Sequence, residues 1–224
     1  MIPLRDELPT RRFPIVNYLL IATNIVVFVL MWFAGPYQDV LVYQFAMIPA
    51  NFVNGIDLHD GMTIFTSMFM HAGLAHIGGN MLYLWIFGDN VEDRLGHGRY
   101  LVFYLAGGVA ASLLHLLTNP GSQIPTVGAS GAIAAVLGAY LVLYPGSRIV
   151  TAIPLGHFMR VTLVPAIIVL GLWFVFQLFD GVAALGGADV GGVAVWAHVG
   201  GFVAGMVMAK LLPAQRWEET VVTW

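Results

Sequence analysis

YLVFYLAGGVAASLLHLLTNPGSQIPTVGASGAIAAVLGAYLVLYPGS, residues 100 to 147, contains no Asp, Glu, Lys or Arg. A helix needs about 20 apolar residues, at roughly 1.5 Å of rise each, to cross the hydrocarbon core of a bilayer. This stretch is long enough for two, and the turn-rich segment from Thr118 to Thr126, TNPGSQIPT, divides it. Charges mark further gaps on either side. Arg12 to Asp39, Asp60 to Asp89, Arg160 to Asp180 and Asp189 to Lys210 each enclose one apolar run of about the length of a span. The expectation is therefore an all-α membrane protein, a polytopic bundle of six transmembrane helices.

Composition agrees. Of 224 residues, 59% are apolar and 9% charged, against about 25% charged in an ordinary soluble domain. The uncharged segment Val40 to Ile56 carries Gln44, Pro49, Asn51 and Asn54, so it reads as a loop partly sunk in the interface and not a seventh crossing. Lys and Arg are retained on the cytoplasmic side of a membrane. With six spans, Arg5, Arg11, Arg12, Arg94, Arg99, Arg148, Arg160, Lys210 and Arg216 all fall on one face, which places both the N- and C-termini in the cytoplasm. The expected organisation is a cytoplasmic segment 1–13, a membrane domain 14–212 and a cytoplasmic tail 213–224. The apolar segment after Phe13 is longer than a signal core, and short loops suggest a bacterial cell (inner) membrane. With no cysteine, thiolate zinc sites and cysteine nucleophiles are excluded. Net charge is −3 with no basic patch, which argues against nucleic acid as a partner.

In a bilayer a buried polar group is costly, so an intramembrane ionisable residue is a functional hypothesis by default. The second run carries His71, His76 and Asn80; the fourth opens at Ser130; the sixth carries His198; His115 lies near the outer end of the third. Ser130 is flanked by Gly128 and Gly131, which leave its hydroxyl unshielded. Gly201 and Gly205 give the sixth helix a Gly-x-x-x-Gly face for close packing. If its neighbour is the fourth helix, His198 and Ser130 meet as base and nucleophile. No Asp or Glu lies in mid-span to orient the base, so a dyad is expected. His76 and Asn80, four residues apart on one helix face, together with the Ser130 backbone N–H, offer donors for an oxyanion. His71, five residues before His76, reads as a structural group. Two alternatives remain at this point: a polar lining for a channel or transporter, and a zinc site built on His71, His76 and His198.

His71-Ala-Gly-Leu-Ala-His76-Ile-Gly-Gly-Asn80, Gly128-Ala-Ser130-Gly131 and His198-Val-Gly-Gly201-Phe-Val-Ala-Gly205 together resemble the rhomboid intramembrane serine proteases. The resemblance covers the chain from Phe13 to Leu212. It implies Ser130 as nucleophile, His198 as general base and acid, and His76, Asn80 and the Ser130 N–H as the oxyanion hole. It implies transmembrane proteins as substrates, cut near the outer end of a single span, with no metal or other cofactor. Glu92 and Arg94 resemble the family's structural polar cluster in the turn between helices two and three. Ala134 stands where the family often carries a tyrosine that stacks on the base. The first outer loop lacks the family's common Trp-Arg pair and offers Phe45, Met47, Ile48 and Phe52 as anchors. The aromatic fifth helix, from Leu172 to Phe179, followed by Gly181, Gly186, Gly187, Gly191 and Gly192, reads as a lateral gate.

Overall fold

The computed structural model describes residues 1–53, 55–156, 158–186 and 193–212. Asn54, Gly187, Asp189, Gly191, Gly192, Arg216 and the tail 213–224 lie outside the described residues. The chain begins with β1 (Ile2–Asp6) and α1 (Ile15–Phe33), followed by α2 (Gln38–Phe45), α3 (Leu58–Thr66), α4 (Leu74–Leu95) and α5 (His97–Thr118). After α6 (Ser130–Leu143) come β2 (Arg148–Leu155), β3 (Phe158–Pro165), α7 (Ala166–Leu185) and α8 (Val195–Leu211). The protein is mostly helical. By length and composition, α1, α5 and α7 can each cross a membrane, whereas α6 and α8 are apolar but shorter. α4 is 22 residues long, and its charges gather at one end in Asp89, Glu92, Asp93 and Arg94.

The shortness of α6 shapes the interior. Its 14 residues span about 21 Å at 1.5 Å per residue, against a hydrocarbon core of about 30 Å. Every residue from Gly131 to Tyr140 is buried, so α6 is the central post of the bundle. α8 lies directly against it. A Cβ on Gly201 would collide with the Gly131 carbonyl, one on Gly205 with the Ala135 carbonyl, and one on Gly138 with the Phe202 carbonyl. The pairing of 131 with 201 and of 135 with 205 means that the two helices run parallel. Such backbone-to-backbone approach is how helices associate where lipid offers no hydrophobic drive.

An all-α fold is corrected by a three-stranded antiparallel sheet in the order β1-β2-β3. Ile149, Val150, Thr151 and Ile153 pair with Val164, Leu163, Thr162 and Arg160, a β-branched register that favours strands. Gly156 at the hairpin tip has φ +61°, a backbone region that favours glycine. Segment 1–13 is not a free extension, because β1 pairs with β2 from Ile2↔Ala152 to Asp6↔Ile149. Tyr140 on α6 donates a 2.7 Å hydrogen bond to the Asp6 carboxylate. Burial raises the Asp6 carboxyl from 3.8 to about 6, an effect that the Tyr140 bond partly offsets.

The start of α1 is held by the last turn of α4. The first N–H groups of a helix have no partner within it. The two Glu92 oxygens accept from Val16 N–H at 3.0 Å and Asn17 N–H at 2.7 Å, and Asp93 accepts from the N–H groups of Arg11 and Arg12. His97 Nδ1 lies 2.5 Å from Glu92. Glu92 is thus the hub of this cluster, while Arg94 is exposed.

Segment 40–56 is more ordered than a loop. It contains most of α2 and a single turn of 3-10 helix at Pro49–Phe52. Its seat is main-chain pairing: Met47 N–H donates to the Thr126 carbonyl at 3.2 Å, and Thr126 N–H returns to the Met47 carbonyl at 2.8 Å. Met47 and Ile48 are buried, whereas Phe45 is exposed, so two of the expected anchors are seated on protein.

Candidate active site

Ser130 is the first residue of α6, reached through the non-helical segment 119–129. Irregular backbone at membrane depth is tolerated where it is covered by protein or lines a wet cavity. Thr126, Val127 and Ser130 do line a cavity of about 820 Å³, together with His76, Asn80 and His198. Ser130, at the N-terminus of this short central helix, is half-buried at the edge of that cavity.

His198 is the fourth residue of α8, one turn before Gly201. Because α6 and α8 touch backbone to backbone, the imidazole reaches the hydroxyl, with His198 Nε2 2.8 Å from Ser130 Oγ. His198 is buried, at 9% exposure. Gly131, which the sequence suggested as a flank for the hydroxyl, in fact serves packing, since a Cβ there would press on Ala111 of α5. Gly128 is the site's own glycine. Its φ of +134° is unfavourable for other residues, and a Cβ would intrude between His76 Nε2 and Ser130 Oγ.

His76 and Asn80 lie on α4 and face the same cavity. The Ala72 backbone N–H points at His76 Nδ1 at 3.4 Å. A backbone N–H can only donate, so Nδ1 is the bare nitrogen of the neutral ring and Nε2 carries the hydrogen. That hydrogen faces the space over Gly128. Asn80 is buried, and its side-chain nitrogen has no hydrogen-bond partner. Buried donors normally find partners, and this amide is a donor left with none. The Ser130 N–H, in the unpaired first turn of α6, is a third.

His71 needs a correction. It precedes α4 and does not share the helix with His76. Buried, its ring meets that of His76 edge-on with centroids 5.0 Å apart, so it supports the donor ring from the preceding loop. The physical reason is that the second apolar run is broken: α3 ends in a 3-10 turn at Ser67–Phe69, and Gly73 precedes the first turn of α4. Nor do the ring nitrogens of His71, His76 and His198 converge as a zinc site requires. Among the described residues the side chains near enough to share an ion are Asp57, His59 and Asp60. There the two carboxylates form the capping box of α3, and His59 meets the Gln44 carbonyl.

Two neighbours of His198 were not singled out from the sequence as partners of the base. Trp173 on α7 packs its ring 5.7 Å from the imidazole and 5.9 Å from Phe202, supplying aromatic cover where Ala134 leaves none. Gln177, one turn further along α7, places Oε1 2.6 Å from His198 Nδ1. The signal is present in the sequence, since Gln177 is the single amide in the apolar run from Ala166 to Phe179, but the side chain carries no ionisable group. Asp180 lies within α7. His115 borders the same cavity, with Nε2 3.1 Å from the Thr126 hydroxyl.

A family model described as Rhomboid domain matches residues 59–215. Rhomboid protease GluP of Bacillus subtilis (strain 168) is 32% identical over 201 residues, which cover 89% of this chain and 35% of that protein. The human protein named Presenilin-associated rhomboid-like protein, mitochondrial, is 32% identical over 178 residues, covering 77% of this chain and 45% of its own length. Rhomboid protein 1, mitochondrial, of Saccharomyces cerevisiae (strain ATCC 204508 / S288c) is 31% identical over 163 residues, with 70% and 47% covered. The chain thus spans less than half the length of these relatives. Since they include bacterial and mitochondrial proteins, the similarity points to a membrane protein without choosing the membrane.

Proposed function

The chain belongs to the rhomboid family, and from that premise we propose that it is a serine endopeptidase that hydrolyses a peptide bond near the outer end of a single-span transmembrane substrate. The observation that carries this reading is the 2.8 Å approach of His198 Nε2 to Ser130 Oγ at the edge of the cavity. Ser130 attacks the scissile carbonyl while its proton passes to His198 Nε2. The oxyanion of the tetrahedral intermediate is met by the Asn80 amide, the His76 Nε2–H and the Ser130 N–H, donors placed before charge develops. His198 then gives the proton to the leaving amine, and a water from the cavity repeats the sequence to release the acyl group.

The six longest helices, α1 and α4 to α8, are read as the crossings, with both termini cytoplasmic and Ser130 opening toward the outer face. A transmembrane helix hides its carbonyls in its own hydrogen-bond ladder, so the substrate has to unwind before it is cut. α7 is read as the wall that moves to admit it, because few of its residues are buried.

The test is labelling of the full chain by a fluorophosphonate, beside cleavage of a transmembrane reporter. Wild type is expected to label and cleave, and Ser130→Ala and His198→Ala to do neither. Equal labelling of all three proteins would remove the nucleophile and base.

A further inference from the structure

The mechanism leaves His198 Nδ1 unassigned, and its partner comes from a helix not otherwise used in the chemistry. A Gln on an apolar, lipid-contacting helix is costly unless its amide is bonded. Gln177 meets that cost at His198, with Oε1 2.6 Å from Nδ1. Trp173, four residues earlier and so on the same face of α7, packs its ring 5.7 Å from the imidazole at a tilt of 38°. One helix thus contacts the imidazole through two side chains.

A neutral imidazole carries one hydrogen, and the bond made by one nitrogen decides the state of the other. We propose that Gln177 is a positioning residue: its Oε1 accepts the Nδ1–H of His198, so that the Nε2 lone pair is turned to the Ser130 hydroxyl. This rests on the reading of Ser130 and His198 as nucleophile and base. The proton then runs from Ser130 Oγ to Nε2 and on to the leaving amine. The amide takes no proton, and its bond to Nδ1–H strengthens while the ring is cationic. Since the bond is made from α7, outward movement of that helix releases the ring. The base is held in place only while α7 is seated.

Gln177→Leu and Gln177→Met keep the side-chain bulk and suit a lipid-contacting helix, but lack the acceptor. In the full chain, kcat for a transmembrane reporter is expected to fall about 10- to 100-fold, a part of the roughly 10²- to 10⁴-fold that general-base catalysis supplies, with KM changed less than about twofold. Fluorophosphonate labelling slows in parallel. 15N spectra of histidine-labelled protein give a readout independent of turnover, with the His198 signals identified by their loss in His198→Ala. Wild type is expected to show a protonated Nδ1 and a bare Nε2, and the variants a mixture. A wild-type ring protonated at Nε2, variants with unchanged kcat, or variants that lose kcat while keeping the wild-type tautomer would each overturn the proposal. If wild type neither labels nor cleaves but the tautomer still shifts on substitution, the protease reading fails and the positioning role stands.

Discussion

α6 and α7 are both apolar helices that bring a side chain to the same imidazole, yet they are built on opposite plans. α6 is buried from Gly131 to Tyr140 and is locked to α8 by glycines that leave no room for a methyl group. α7 buries only Ala166, Val169, Leu170 and Gly181 among its described residues, and much of its aromatic surface is exposed. Ser130 and the backbone contact that brings His198 to it sit on the rigid side; Gln177 and Trp173, which contact the same ring, sit on the loose side. Precise chemistry needs fixed distances, whereas admitting a transmembrane substrate needs a wall that can shift.

Three changes test this contrast, the largest first. Gly201→Val drives a side chain into the Gly131 carbonyl, and overpacking of this kind costs about 3 kcal/mol. A lowered Tm is expected, with loss of both labelling and cleavage; a stable, active Gly201→Val protein would show that the α6–α8 contact is dispensable. Next, the chain has no cysteine, so a pair introduced at Gly79 on α4 and Ala184 on α7, both on the cavity wall, can be joined by a bismaleimide. Cleavage of a transmembrane reporter is expected to fall about tenfold or more, as gating requires, while fluorophosphonate labelling survives. Unchanged cleavage would make α7 a fixed wall.

The smallest effect concerns the far end of the rigid side, where Asp6 meets Tyr140. Burial raises the folded carboxyl to about 6 from 3.8, so the folded state holds its proton more tightly than the unfolded chain does. The associated stability is complete below about pH 3.8 and is lost as pH rises through about 6. Asp6→Asn keeps an acceptor for Tyr140 and removes the titration. Its Tm is expected to match wild type near pH 4 and to exceed it near pH 8, and equal Tm differences at the two pH values would contradict this assignment.

Much of the site was legible because its residues are chemically out of place. A serine, two histidines and an asparagine inside apolar runs stand out by cost alone, and Gly201 with Gly205 announced a close helix contact that the structure contains. The parts that escaped notice did so for identifiable reasons. His71 slipped out of its expected helix because an apolar run does not reveal the 3-10 turn that interrupts it. The hairpin from Arg148 to Pro165 carries Arg148 and Arg160, charges that mark a gap between apolar runs without revealing paired strands. Gln177 is neutral, and its partner is 21 positions away in sequence.

The amino-acid sequence by itself determined the membrane character of the protein and the identity of the polar groups, because the cost of placing a polar side chain in lipid depends on residue type and local hydropathy alone. Depth and pairing belonged to the tertiary structure. The place of Ser130 at a cavity edge follows from the packing around α6, and the Gln177 contact on His198 arises where α7 happens to pass. Both depend on distances between segments far apart in the chain, and no local pattern encodes such distances.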